Sequence, residues 1–209
     1  MQDTETMKHI GLFFGSFNPI HIGHTTLAQS ILEQAGLDEI IFVVSPQNPL
    51  KDKVTLLPEH IRFRMTQIAL QSHEAMTASD IEFALPKPSY TVNTLRALSK
   101  IYSNDRLSLI IGTDNLRIFD RWKEHDYILS NYKIIVYPRQ GDDISALRQQ
   151  YPQVRIVEAP LLSISSTEIR NMLSNNSITD NPARQWLNEN VWNYIIDNNL
   201  YNTKSSKNE

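Results

Sequence analysis

The chain has 209 residues, of which 41% are hydrophobic and 21% charged, and its formal net charge at pH 7 is −3. This length suits one core with an appendage rather than two large domains, and the acidic balance argues against a dedicated nucleic-acid-binding protein. There is no cysteine, which excludes disulfides, thiolate catalysis and cysteine-ligated metal centres. No apolar run approaches the ~20 residues of a membrane helix, and residues 1–8 lack the pattern of a signal peptide. We therefore expect a cytoplasmic protein that contacts neither membrane nor nucleic acid.

The hydrophobic pattern predicts alternating strands and helices. A first strand at 9–14 is followed by a helix over 25–35, which Gly36 would end, and by a near-continuous apolar strand at 39–44. Strand, helix and strand in this order form a right-handed βαβ unit, and an apolar strand without alternation is typical of a parallel sheet covered on both faces. We predict an α/β fold, a Rossmann-like doubly wound parallel sheet with a small C-terminal helical part.

The rest of the chain continues the alternation. We expect helices at 58–71, 89–102, 144–151 and 181–201, strands at 107–111, 133–137 and 154–157, and an edge strand around 81–85. The whole chain, 1–209, would form one domain with its α/β core over 9–160 and its C-terminal helical part over 161–201. Residues 1–8 and 202–209 are expected to be disordered.

The stretch 15–24, with the sequence GSFNPIHIGH, lies where the first strand leads into the first helix. Backbone N–H groups of a tight turn and of a first helical turn lack intrahelical partners, and the helix dipole favours an anion there. His21 and His24 are three positions apart, so they would lie on one face of the helix. Either histidine alone is as well explained by an ordinary surface or capping role. The whole stretch in this position predicts a binding site for a polyphosphate.

A second anion site is predicted at 164–170, with the sequence ISSTEIR. Ser165 and Glu168 have the spacing of a capping box, which would satisfy the start of a helix without any ligand. Three successive hydroxyl residues at a helix N-terminus also suit a phosphate, and Arg170 in the first turns could bind one with two parallel hydrogen bonds.

Five further residues each have a structural and a functional explanation. Lys51 and Lys53 lie in a loop at the carboxyl end of the second strand, where they would be solvated or meet phosphate. Thr91 could cap its helix or bind a ligand carboxylate, and the two roles are compatible. Asp114 could be an N-cap or reach a ribose hydroxyl. Trp122 could belong to the core or stack on a planar ring.

These stretches together resemble a known family. GSFNP followed by HIGH, with ISSTEIR, is similar to the paired signature of the nucleotidyltransferase superfamily named for its HxGH motif. The narrower resemblance is to bacterial nicotinate-nucleotide adenylyltransferases. It rests on Ser89-Tyr90-Thr91 before Thr94-Leu95, on IGTDNL at 111–116 with Trp122, on Arg139, and on the C-terminal Val191, Tyr194, Ile195, Leu200 and Tyr201. These matches extend over 9–201.

The chain departs from that family at three positions. The family usually has two glycines before the Ser/Thr and an aspartate after the Phe, where this chain has Phe14-Gly15 and Asn18. The family's loop histidine is replaced by Leu50, which leaves Lys51 as the matching cation.

The resemblance implies adenylyl transfer from ATP to nicotinate mononucleotide by direct in-line attack, giving nicotinate adenine dinucleotide and pyrophosphate in NAD biosynthesis. Mg²⁺ would accompany ATP, without a dedicated protein metal site. His21, His24 and Arg170 would be the catalytic residues. The resemblance places ATP against Gly15, Ser16, Phe17, Gly112, Asp114, Ile164, Ser165, Ser166 and Thr167, and the mononucleotide against Asn18, Lys51, Thr91, Trp122 and Arg139.

Three alternatives remain open at this point. The first is another adenylyl- or cytidylyltransferase of the superfamily, with nicotinamide mononucleotide or phosphopantetheine as acceptor. The second is a fragment of a class I aminoacyl-tRNA synthetase, although no Lys-Met-Ser-Lys-Ser loop follows HIGH. The third is a catalytically inactive nucleotide-binding module on the same fold. The sequence also leaves open whether the protein is a homo-oligomer.

Overall fold

The computed structural model describes residues 6–46, 56–139, 142–158, 160, 164–177 and 179–201. Its strands are β1 (His9–Gly15), β2 (Glu39–Val44), β3 (Met76–Ser79), β4 (Arg106–Gly112), β5 (Lys133–Tyr137) and β6 (Arg155–Ile156). Its helices are α1 (Ile22–Ala35), α2 (Glu59–Leu70), α3 (Thr91–Ile101), α4 (Thr113–Leu116), α5 (His125–Asn131), α6 (Ile144–Gln150), α7 (Ser166–Asn175) and α8 (Glu189–Asp197). Short 3-10 turns lie at Ile81–Ala84, Phe119–Arg121 and Pro182–Trp186.

The six described strands form one sheet in the order β3-β2-β1-β4-β5-β6, and every neighbouring pair is parallel. The chain builds outward from β1 to β3 on one side and from β4 to β6 on the other, so the order reverses between β1 and β4. In open parallel sheets, ligands bind in the crevice beyond the carboxyl ends of the strands at this reversal. The stretches that follow Gly15 and Gly112 therefore begin on either side of that crevice.

Both faces of the sheet are covered, as the apolar run in β2 predicts. Phe42 and Val44 face a core shared with α1, α2 and α8, whereas Ile41 and Val43 face a second core shared with α3 to α6. All four of these side chains are at most 1% exposed. The doubly wound fold predicted from the sequence is confirmed.

Two elements have different bounds from those predicted. The edge strand is β3 at Met76–Ser79, paired with β2, and the apolar residues predicted to form it lie in the 3-10 turn Ile81–Ala84. The expected helix over 181–201 is divided, because the Asn188 side chain accepts the N–H of Asn190 at 2.9 Å and starts α8 after a 3-10 turn.

Among the described residues, no helix has both the length and the apolar character that crossing a membrane requires.

Candidate active site

The first predicted anion site is the loop between β1 and α1 together with the start of α1. His21 is the N-cap, with extended φ and ψ of −146° and 168°, and α1 begins three residues earlier than predicted. The N–H of His24 donates to the His21 carbonyl at 2.9 Å, and the N–H of His21 donates to His24 Nδ1 at 3.2 Å. Because Nδ1 accepts, the proton of a neutral His24 ring is on Nε2. The two ring centroids are 3.8 Å apart.

Burial sets the protonation of His21. Its side chain is 7% exposed, and desolvation lowers its pKa from 6.5 to about 4, against a smaller opposing effect of the Glu168 carboxylate. His21 is therefore neutral near pH 7. Its Nδ1 is buried and makes no hydrogen bond within the described part of the chain. Buried polar atoms rarely stay unpaired, so this nitrogen is a place where a ligand or water group would bind.

Two glycines allow the loop to fold closely on itself. A Cβ at Gly23 would lie 2.9 Å from His21 Nδ1 and 3.4 Å from Cγ2 of Ile164. A Cβ at Gly15 would lie 2.6 Å from the ring of Phe17, which turns back over it with a φ of 44°. Side chains at either position would displace an aromatic ring of the site.

The start of α7, the second predicted anion site, packs against this same loop. The Ser166 hydroxyl donates to the Pro19 carbonyl at 3.0 Å. Arg170 donates to the Asn18 carbonyl at 2.9 Å and to Thr167 Oγ1 at 3.1 Å. The fold thus joins two stretches that are about 150 residues apart in the sequence.

The capping explanation of Ser165 is also correct. Its hydroxyl accepts the Glu168 N–H at 3.2 Å, and the Glu168 carboxylate accepts the Ser165 N–H at 2.8 Å. The capping box fixes the first turn of α7, so the side chains of Ser166, Thr167 and Arg170 leave that turn in defined directions.

On the other side of the crevice, α4 begins directly after β4. Its N-cap is Gly112, so Asp114 is not the cap but an exposed residue of the first turn. Arg139 Nε donates to Asp114 Oδ1 at 3.4 Å, and the Arg139 N–H donates to the Asp142 carboxylate at 2.9 Å. A Cβ at Gly112 would collide with Asp114 Oδ1. The structure therefore brings Asp114 and Arg139 together at the adjacent ends of β4 and β5.

Thr91 and Trp122 lie in neighbouring segments. The N-cap of α3 is Tyr90 and Thr91 is its first helical residue, so the capping role considered for Thr91 is wrong. Lys123 Nζ lies 4.7 Å from the centroid of the Tyr90 ring, which places the Trp122 turn beside the start of α3. Trp122 is half-buried, and the centroid of its ring lies 5.3 Å from that of Phe119. The backbone N–H of Trp122 donates to the Phe119 carbonyl at 3.0 Å.

Lys51 and Lys53 lie outside the described residues, as do 1–5 and 202–209, for which disorder was predicted. Within the described part of the chain, no three His, Cys, Asp or Glu side chains come together as a metal site.

Sequence reasoning missed two residues that hold the β1–α1 loop. Arg62 on α2 is fully buried. Its spacing to Met65, Thr66 and Ala69 follows the buried face of α2, and that pattern could have revealed it. Tyr201 donates its hydroxyl to Asn18 Oδ1 at 2.8 Å, across 183 positions of sequence. Asn18 is 2% exposed, so its side chain supports the loop from the interior of the protein.

Comparison with known proteins agrees with this geometry. The family described as cytidylyltransferase-like matches residues 12–172. A Cytophaga hutchinsonii protein is 52% identical over 164 residues, covering 78% of this chain and 85% of its own length. A Flavobacterium johnsoniae protein is 43% identical over 193 residues, covering 92% and 98%. Both are named "probable nicotinate-nucleotide adenylyltransferase". The chain belongs to this family.

Solved structures support the family's fold. Plasmodium falciparum nicotinic acid mononucleotide adenylyltransferase, complexed with NaAD, superposes with a TM-score of 0.76 at 23% identity, covering 93% of this chain and 97% of that one. The Rossmann-like architecture of the adenylyltransferase family is thus shared far beyond the range of close sequence similarity.

Proposed function

We propose that the protein transfers the adenylyl group of ATP to nicotinate mononucleotide, forming nicotinate adenine dinucleotide and pyrophosphate. The observation that carries this function is the docking of α7 on the β1–α1 loop, which joins the HIGH stretch and the SSTEIR stretch at the reversal of strand order. The names of the bacterial relatives support the same reaction. NAD biosynthesis in the cytoplasm would be its setting.

The reaction needs no protein nucleophile. The 5′-phosphate of the mononucleotide attacks the α-phosphorus of ATP, the new P–O bond forms, and the bond to the β-phosphate oxygen breaks with pyrophosphate as leaving group. Catalysis then consists of alignment and of stabilising charge on the phosphoryl oxygens. His24 would donate its Nε2–H to an α-phosphate oxygen, and the orphaned nitrogen of His21 would complete the same cradle. Arg170, with Ser165, Ser166 and Thr167, would hold the β- and γ-phosphates.

Adenosine and the acceptor would occupy different parts of the crevice. Gly15, Ser16 and Phe17 would contact ATP from one side of the crevice, and Gly112 and Asp114 would contact its adenosine from the other, with Ile164 completing the nucleotide site. The acceptor would lie toward α3, with Thr91 at a helix N-terminus near the nicotinate carboxylate and the Trp122 ring on the pyridine. Arg139 would add positive charge. A site built for a carboxylate rejects the neutral amide chiefly because donors would stay unpaired.

We also propose that Mg²⁺ enters with ATP. Polyphosphate charge favours a hard divalent cation, which is usually held by phosphate oxygens and water with few protein ligands. Its role would be to offset charge on the leaving pyrophosphate.

Labelled ATP tests the reaction. With nicotinate mononucleotide and Mg²⁺, label in the α-phosphate should appear in the dinucleotide, and label in the γ-phosphate should appear in pyrophosphate. ATP binding without either product, and without pyrophosphate release from nicotinamide mononucleotide or phosphopantetheine as acceptor, would instead establish an inactive nucleotide-binding module.

A further inference from the structure

Arg62 is a buried cation that ties together the backbone of two loops. It lies in the first turn of α2 and is 0% exposed. Its Nε donates to the Leu57 carbonyl at 2.9 Å, and its terminal nitrogens donate to the carbonyls of Ser45 at 2.8 Å, Pro46 at 2.9 Å and Ser16. The guanidinium thus spans from the loop after β1 to the loop after β2.

The guanidinium of Arg62 forms no ion pair with any of the described residues. Its neighbour Glu59 pairs with Lys87 at 3.2 Å and acts on Arg62 through its electrostatic field. Arginine keeps its charge when buried, and burying a charge is costly unless it is well hydrogen-bonded. An apolar side chain in its place would leave these four carbonyl groups without this donor, which costs stability. Arg62 therefore holds the two loops together, and one of its four acceptors, the Ser16 carbonyl, lies in the predicted anion site.

The bond to Ser16 fixes the orientation of a peptide in the anion site. The Ser16–Phe17 peptide is trans, since the only cis bonds among the described residues are Asn18–Pro19 and Lys87–Pro88. In a trans peptide the C=O and the N–H point in opposite directions. With the Ser16 carbonyl directed at Arg62, the Phe17 N–H is directed away from the buried guanidinium.

We propose that Arg62 is a positioning residue for adenylyl transfer. It holds the Ser16–Phe17 peptide so that the Phe17 N–H faces the ATP phosphates. The hydrogen bonds to Ser45 and Pro46 keep this peptide at a fixed position relative to the end of β2. This inference rests on the proposed function.

The first test replaces the guanidinium. In Arg62→Lys the charge is kept, but one ammonium cannot reach carbonyls on both loops with the same geometry. In Arg62→Met the charge is lost and the volume is nearly kept. We expect kcat to fall at least tenfold in the lysine variant and further in the methionine variant, with KM for nicotinate mononucleotide within about threefold of the original.

Arg64 provides the matched control, since it lies on the same helix and is exposed. Arg64→Lys and Arg64→Met should leave kcat unchanged. A merely structural Arg62 would give a different pattern: the melting temperature would fall, but kcat per folded molecule, measured well below melting, would equal that of the control variants. That result would overturn the proposal.

A second test needs no substitution and does not depend on turnover. In the unaltered protein, addition of a non-hydrolysable ATP analogue with Mg²⁺ should shift the amide NMR signal of Phe17 and slow its hydrogen exchange. An unchanged Phe17 amide at saturating analogue would refute the orientation assigned to Arg62. If nucleotide protects Phe17 but nicotinate mononucleotide gives no pyrophosphate, the acceptor is wrong and the positioning role stands.

Discussion

At the scale of single residues, His24 is the group that we propose to act most directly on the transition state. Its Nδ1 is occupied by the His21 N–H, which fixes the ring and leaves Nε2 to carry the proton. His24→Ala should lower kcat about a hundredfold while ATP binding changes little, as for the loss of a donor to a developing oxyanion. His60→Ala, an exposed histidine on α2, is the control. Near-normal turnover of the His24 variant would remove His24 from the mechanism.

His21 should make folding stability depend on pH. Its pKa of about 4 in the folded protein lies below the 6.5 expected for the unfolded chain. Between these values the unfolded chain binds the proton and the folded protein does not, so the free energy of unfolding falls as pH falls from about 6.5 to 4. The loss approaches about 3 kcal/mol, at 1.36 kcal/mol per pH unit. Urea denaturation of the original protein and of His21→Gln measures this effect. The free energy of unfolding should fall less in the variant over this pH range, and an equal fall in both proteins would contradict a pKa of His21 lowered by burial.

At the scale of elements, Gly23 couples helix packing to the site. Alanine is favoured over glycine inside a helix by about 1 kcal/mol, but here its Cβ would press on His21 Nδ1. Gly23→Ala should therefore keep or raise the melting temperature within a few degrees and lower kcat at least tenfold. Thr26→Ala, at an exposed position of the same helix, should leave kcat unchanged. Equal kcat in the two variants would show that the His21 ring can move without effect.

Most elements could be predicted because their signals are local. The apolar run of β2, the αL Gly36 after α1 and the Ser165–Glu168 capping box each lie within a few residues, and all three are observed. The edge strand could not be predicted, because β3 is held by pairing with β2 and its sequence MTAS has little apolar pattern. The break in the helix over 181–201 was missed although its signal is local, because the Asn188 side chain caps α8 within a segment whose apolar residues were interpreted as one continuous helix.

At the scale of the whole molecule, Tyr201 connects the C-terminal helical part to the β1–α1 loop. Tyr201→Phe removes the hydroxyl that donates to Asn18 Oδ1 and leaves that oxygen with the longer bond from the Leu57 N–H at 3.4 Å, and the loss of one such hydrogen bond costs about 1 kcal/mol. We expect the free energy of unfolding to fall by that amount and KM for ATP to rise severalfold as the loop loosens. Chemical denaturation and initial rates measure the two effects, with Tyr194→Phe on α8 as control. A lower free energy of unfolding with an unchanged KM for ATP would show that Tyr201 stabilises the fold but does not affect ATP binding.

The site itself was predictable only in part. The two stretches predicted to bind phosphate could be located from their residue types, and the fold brings them together, whereas phosphate binding by them stays a prediction. The supports of the loop were not predictable, because Arg62 acts on carbonyl groups, which every residue has, and Tyr201 meets Asn18 only after the whole chain has folded. The adjacency of Thr91 and Trp122 likewise comes from packing of α3 beside the Trp122 turn.

We propose that the starts of α1 and α7, packed on one loop, bind ATP for transfer of its adenylyl group to nicotinate mononucleotide. The measurement that tests this is pyrophosphate release by the purified protein with ATP and Mg²⁺, comparing nicotinate mononucleotide, nicotinamide mononucleotide and phosphopantetheine. We expect rapid release with nicotinate mononucleotide and a much lower kcat/KM with the other two. A preference for either of the others, or no release with any of the three, would contradict it.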